Sequence, residues 1–159
     1  MYKIDRSRFG KGLFATRRIP KGTIITKATG RPMHFRETIG LGNKESHTLQ
    51  TGPEEYILCE SPFLYSNHSC DPNCGLTADL ELITIREVKK GEEFFWDYST
   101  SMLERHWEMQ CRCGSSQCRG LIRDFDLLPS SVQSRYIQLQ IVLPFIMDHL
   151  QRKAWPLTA

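Results

Sequence analysis

The chain has 159 residues, 40% of them hydrophobic, with 21 Lys and Arg against 18 Asp and Glu. That length suits one domain with a sizeable core, and a formal charge of +3 makes no strong case for a nucleic-acid partner. No apolar N-terminal segment of signal-peptide type is present, and the run Ile141 to Met147 is short and contains Pro144; the expected setting is therefore cytoplasmic, with no membrane partner.

In chain order, the first 31 residues carry Lys3, Arg6, Arg8, Lys11, Arg17, Arg18, Lys21, Lys27 and Arg31 against Asp5 alone. This basic stretch reads as a solvated face, and nucleic acid is not required to explain it. Gly10 and Gly12 flank Lys11, and Pro20-Lys21-Gly22 marks a turn before the β-branched run Thr23 to Thr26. Residues 28 to 53, rich in Gly and Pro, are expected to be mostly loop. Tyr56 to Cys59, Leu80 to Arg86 and Phe94 to Trp96 are strand candidates, with a charged turn at 87–93. Beyond residue 118 the period changes. Val132, Tyr136, Leu139 and Leu143 recur at helical spacing after Pro129-Ser130, with Gln133 placed for a capping box. Pro144 should end or kink that helix, and a second short helix is expected to about Lys153.

Six cysteines invite a disulfide framework, but the chain is neither small nor visibly secreted. Cys111 and Cys113, one residue apart, cannot bridge each other without strain. The spacing Cys111-x-Cys113-x4-Cys118 offers three thiolates and leaves one tetrahedral position to fill. Cys59 reads as a small buried hydrophobe.

Three segments carry the chemistry: Tyr65-Ser66-Asn67-His68-Ser69-Cys70-Asp71-Pro72-Asn73-Cys74, Gly91 to Tyr98, and Cys111 to Cys118. In this order and spacing, with Gly10-Lys11-Gly12-Leu13-Phe14 ahead of them, the chain resembles the SET-domain protein-lysine N-methyltransferases, over roughly residues 5 to 122. The resemblance implies a mainly β fold with short helices, a β-clip-like SET fold with knot-like threading, with a SET domain over 1–110 and a post-SET zinc segment over 111–122. The helical spacing beyond it is read as a C-terminal helical tail over 123–159, outside the common core and packed on the same domain.

The implied reaction moves a methyl group from S-adenosylmethionine to the side-chain amine of a lysine in a histone or another protein or peptide. Lys11, Gly12, Leu13, Phe14, Tyr56, Asn67, His68, Tyr98 and Leu121 match cofactor-binding positions. Trp96, Tyr56 and Tyr65 are assigned to the lysine channel, and Tyr98 is the matching active-site tyrosine. The amine must be neutral to attack; at pH 7 removing its proton costs about 4.6 kcal/mol in water. An apolar channel and a neighbouring sulfonium lower that cost by desolvation and charge repulsion. A tyrosine hydroxyl orients the amine and the methyl group without adding a fixed charge.

Ala28 stands where many members carry a second active-site tyrosine. Leu64 stands where an arginine is common. Trp96 replaces the usual phenylalanine or tyrosine two residues before Tyr98, and its bulk leads to an expectation of monomethyl product. The resemblance gives zinc four ligands, Cys70, Cys111, Cys113 and Cys118, with Cys74 as the competing fourth. The alternative reading is a non-catalytic, zinc-bearing SET-like interaction module, favoured by Ala28 and Trp96. Substrate and oligomeric state are left open.

Overall fold

The computed structural model describes residues 1–154; the end of the expected tail, 155–159, lies outside the described residues. Short strands, paired mostly antiparallel, make up most of the regular structure. β1 (Tyr2–Ser7) and β2 (Gly10–Ala15) form a hairpin. β3 (Ile24–Lys27) leads to β4 (Gly30–His34), α1 (Phe35–Thr38) and two short 3-10 turns within Ile39–His47, separated by a kink at Gly42. β5 (Thr48–Gln50) and β6 (Glu55–Cys59) follow. β7 (Asn67–His68), β8 (Cys74–Leu76), β9 (Glu81–Thr84) and β10 (Phe95–Trp96) complete the middle of the chain. β11 (Met109–Gln110) and β12 (Leu121–Ile122) bracket the C-terminal cysteines, and α2 (Ser130–Gln138) and α3 (Pro144–Ala154) end the described chain.

Three small sheets enclose the main core. In one, β9 lies between β3 and β8; in another, β6 lies between β4 and β5. The third pairs β1 with β2. Leu13, Ile19, Leu76, Leu82, Val88 and Phe94 are fully buried where these sheets meet. Burying side chains of this kind stabilises the fold by about 1.5–3 kcal/mol each.

The expected strands at 23–26, 56–59, 80–86 and 94–96 appear, shortened or shifted by a residue or two. The expected loop over 28–53 is instead largely ordered as β4, α1 and β5. Its composition hid this because Pro32 lies in β4, an edge strand, where a missing N–H leaves no central ladder bond broken. Gly30 is needed there: a Cβ at that position would lie 1.9 Å from the Leu58 carbonyl oxygen.

The two C-terminal helices appear as expected, broken before Pro144. The capping box does not form. Pro129 occupies the N-cap, and the Gln133 amide donates to the Leu128 carbonyl at 2.8 Å. Tyr136 and Leu143 are buried, and Ile141, Ile146 and Phe125 join Tyr136 in a second core. Ile141 packs directly on β8 at Gly75, where a Cβ would come within 2.3 Å of its side chain. The tail is thus fused to the sheet rather than appended to it. Among the described residues no helix is long and apolar enough to cross a membrane.

Candidate active site and metal centre

The site is organised by one short parallel pairing. β7 runs beside β10 with Asn67 opposite Phe95 and His68 opposite Trp96, and the Ser69 amide donates to the Trp96 carbonyl at 3.1 Å. Asn73 clamps the same segment: its side chain accepts from the Phe95 amide and donates to the Glu93 carbonyl, both at 2.8 Å. Asn67 reaches the N-terminal hairpin, donating to the Lys11 carbonyl at 2.9 Å and to Glu93 Oε1 at 2.6 Å. Gly12 makes this approach possible, since a Cβ there would lie 2.2 Å from Glu93 Oε1. Three segments separated by dozens of residues therefore meet at Asn67.

The expected cofactor residues do not all present side chains. Leu13 is fully buried in the main core, so only its backbone can face a ligand. Lys11 is exposed, with its ammonium 5.1 Å from the centre of the Tyr65 ring. Phe14 is half-buried beside Glu93, and Leu121 is half-buried on β12.

Tyr98 opens a short helical turn, Tyr98–Ser101, immediately after β10. Its hydroxyl donates to the Ser66 carbonyl at 3.0 Å, and its backbone N–H donates to His68 Nδ1 at 3.2 Å. Burial pushes the phenol well above its ordinary value, so the hydroxyl stays protonated. Burial likewise draws His68 down to about 4, against the pull of Asp97. A neutral imidazole accepting at Nδ1 carries its proton on Nε2, which faces Cys70 Sγ at 3.4 Å.

Tyr98 and Trp96 lie on the wall of a cavity that also meets Tyr56, Cys59, Phe63 and Ser66. Trp96 is 4% exposed, stacks at a tilt 4.9 Å from Tyr98, and donates its indole N–H to the Ser66 hydroxyl at 3.1 Å. It both fills core volume and lines the cavity. Tyr56 is buried and donates to the Glu104 carboxylate. Glu45, His47, Glu104 and Trp107 line the same cavity. Tyr65, assigned to the channel, is not on this wall, and Ala28 is buried in the main core.

Beneath Tyr98 lies a buried polar knot absent from the sequence reading. The Asp97 carboxylate accepts from both Arg119 terminal nitrogens at 2.8 Å and from the Tyr136 hydroxyl at 2.9 Å. The Ser99 amide caps it at 3.2 Å. Asp97 is 1% exposed, so the bidentate guanidinium supplies the partner that a buried carboxylate requires. Arg119 comes from the cysteine segment and Tyr136 from the tail, so one carboxylate joins both to the residue before Tyr98. The only available signal for Asp97 was its place beside Tyr98; Tyr136 looked like an ordinary helix core position.

The sulfur atoms of Cys70, Cys111, Cys113 and Cys118 all lie within 4.8 Å of one another. Cys74 is fully buried in the main core and outside this group, as is Cys59. A tetrahedral ion with metal–sulfur bonds of about 2.3 Å needs sulfur–sulfur separations of about 3.8 Å. Cys70 and Cys111 stand 3.7 Å apart. Despite burial, the Cys113 thiol is drawn down to about 6 by the backbone N–H groups of Cys70 and Ser115 and by the neighbouring thiols. Four converging sulfurs, one already disposed to ionise, can hold a metal ion with a closed thiolate shell. The Arg119 amide also points at Cys70 Sγ, at 3.4 Å.

Residues 10–99 match the SET domain family, and the chain belongs to that family. It is 30% identical over 121 residues to a protein named methyltransferase flvH from Aspergillus flavus, covering 74% of this chain and 64% of that protein. It is 32% identical over 133 residues to human histone-lysine N-methyltransferase 2D, covering 73% of this chain and 2% of that protein. A histone-lysine N-methyltransferase of Cryptococcus neoformans, named as H3 lysine-36 specific, is 28% identical over 130 residues, covering 71% of this chain and 16% of that protein. The chain therefore spans less than two thirds of each of these relatives.

Proposed function

We propose that this chain transfers methyl groups from S-adenosylmethionine to the side-chain amine of a protein lysine. The observation that carries the reading is the β7–β10 pair: it links the Lys11–Asn67 contact to the cavity lined by Trp96 and Tyr98. S-adenosylmethionine, when bound, supplies an electrophilic methyl group on a sulfonium. Asn67 and the backbone of Lys11 to Phe14 would hold it, and the closed four-cysteine group is suited to structural zinc. Tyr98, neutral and fixed on the Ser66 carbonyl, orients the attacking amine. Trp96 and Phe63 exclude water from the buried wall, which lowers the cost of presenting that amine unprotonated.

Incubation with isotope-labelled cofactor and a peptide array, followed by mass spectrometry, tests the reaction. Tyr98→Phe should lower kcat about tenfold or more, the effect of one transition-state hydrogen bond worth about 1.4 kcal/mol, with little change in cofactor affinity. Equal turnover by both proteins removes Tyr98 from this role.

Burial of Ala28 where relatives of this kind place a second tyrosine favours a second reading, a non-catalytic interaction module. That reading requires cofactor binding without methyl transfer to any peptide.

A further inference from the structure

Among the described residues, the cavity lining contains two carboxylates, Glu45 and Glu104, and no lysine or arginine. Glu104 is the better fixed. It is half-buried, its Oε2 receives the Tyr56 hydroxyl, and its own backbone N–H donates to Asp124 Oδ1 at 3.2 Å. Tyr56 is itself 3% exposed, so the pair has little freedom to turn away. Glu45 is committed elsewhere, to His106 Nε2 at 2.8 Å. An uncompensated carboxylate on a concave wall favours a cationic occupant, and the apolar residues of the same lining, Leu49, Phe63, Leu64 and Met102, favour an occupant with an apolar stem.

We propose that Glu104 is the specificity-determining residue that draws the target amine into the cavity in its ammonium form. The inference rests on the methyltransferase reading and deepens it. Attraction has an opposing consequence. The carboxylate that improves capture also stabilises the charged amine, which must lose its proton before it attacks. Removing the charge should weaken capture and make the bound amine easier to deprotonate. Capture and reactivity should therefore move in opposite directions. Loss of packing alone would not produce that split.

The other titratable groups around Glu104 do not cancel it. Tyr56 stays neutral because burial and this carboxylate both raise its pKa. Asp124 and Asp126 are taken up by Arg105, at 2.6 Å each. Glu54 adds negative charge near Tyr56. His106 engages Glu45, and His47 lies at the exposed edge. Burial, with the charge of Asp124, raises the Glu104 carboxyl, opposed by the bonds from Tyr56 and the Trp107 backbone and by the nearby His106.

The test uses the full chain with S-adenosylhomocysteine bound. n-Butylammonium, the lysine head group with its stem, is titrated against n-butanol, and the indole N–H signals of Trp96 and Trp107 are followed by NMR. Wild type should prefer the cation by about tenfold, the worth of one hydrogen bond to a charged group. Glu104→Gln should abolish the preference, and Glu104→Asp should restore part of it, with melting temperature and cofactor affinity unchanged. On a peptide found by the array, Glu104→Gln should raise KM about tenfold, leave kcat equal or higher, and move the acidic limb of kcat down by about one pH unit.

An unchanged cation preference in Glu104→Gln overturns the proposal, as does a loss of kcat without a change in KM. If no peptide is methylated but the cation preference depends on Glu104, the reaction reading fails and the ammonium site stands. If peptides are methylated and neither preference nor KM moves, only this proposal fails.

Discussion

Asp97→Asn is the sharpest probe of how the three segments are held together. The substitution keeps the shape but replaces an anion with a neutral amide beneath Arg119, Tyr136 and the Ser99 amide. Asn can still accept at one oxygen. Its NH2 then faces the Arg119 nitrogen that stood 2.8 Å from Oδ2, so two donors oppose each other and the guanidinium, 13% exposed, is left without its counter-charge. Breaking a buried pair on one side costs about 3–5 kcal/mol; the residual bond and the solvent path to Arg119 place the expected loss near the lower end, about 3 kcal/mol. For a chain of this length that corresponds to a drop in Tm of about 6–12 °C, measured by calorimetry on the metal-loaded protein. Activity should fall as well, because Tyr98 follows Asp97 directly. Arg119→Met should also destabilise. The double variant should be more stable than the sum of the single losses predicts, with a coupling of about 2 kcal/mol. Additive losses, or a single-variant shift under about 2 °C, would refute the claim that this ion pair ties the cysteine segment to Tyr98.

Metal analysis should find about one zinc per chain, the content of one closed thiolate site. Cys70→Ser and Cys118→Ser should each lower that content sharply while Cys74→Ser retains it; retention by Cys70→Ser with loss by Cys74→Ser would show that the fourth ligand is wrongly assigned. Arg105, with Lys153, holds Asp126 down to about 2, from an ordinary value of 3.8. The folded pKa is depressed, so this stabilisation is complete above about pH 4 and is lost as pH falls toward 2. Since Arg105 and Lys153 are about half exposed, it amounts to about 1 kcal/mol after screening; Asp126→Asn should flatten the acid limb of Tm against pH by that amount. Wild type should yield mainly monomethyl-lysine at long reaction times and Trp96→Phe more highly methylated product, because the indole occupies channel wall; predominant trimethyl product from wild type refutes the steric argument.

Much of the site was legible because its chemistry is local in sequence. Asn67-His68 and Cys70 lie in one run, Trp96, Asp97 and Tyr98 in another, and three thiols within eight residues in a third. These segments need only be brought together: the β7–β10 pairing joins the first two, and the Cys70 sulfur and the Arg119–Asp97 ion pair join the third. What escaped notice is chemistry assembled from residues with no local signature. Tyr136 occupies a helix position that any large apolar residue could fill; only the fold reveals that its hydroxyl meets Asp97, thirty-nine positions away. Glu104 sits in an irregular segment where a carboxylate ordinarily means solvent, and its significance comes from Tyr56 on β6. The ordered stretch between 30 and 50 was masked by Gly30 and Pro32, which usually interrupt structure. At an edge strand that must pass close to Leu58, the same residues are what allow pairing. Sequence pattern thus located the segments that converge, whereas the contacts that fix their side chains depend on which distant backbone each segment lies against. Variants at Asp97, Arg119 and Glu104 therefore probe the part of the mechanism that the fold contributes.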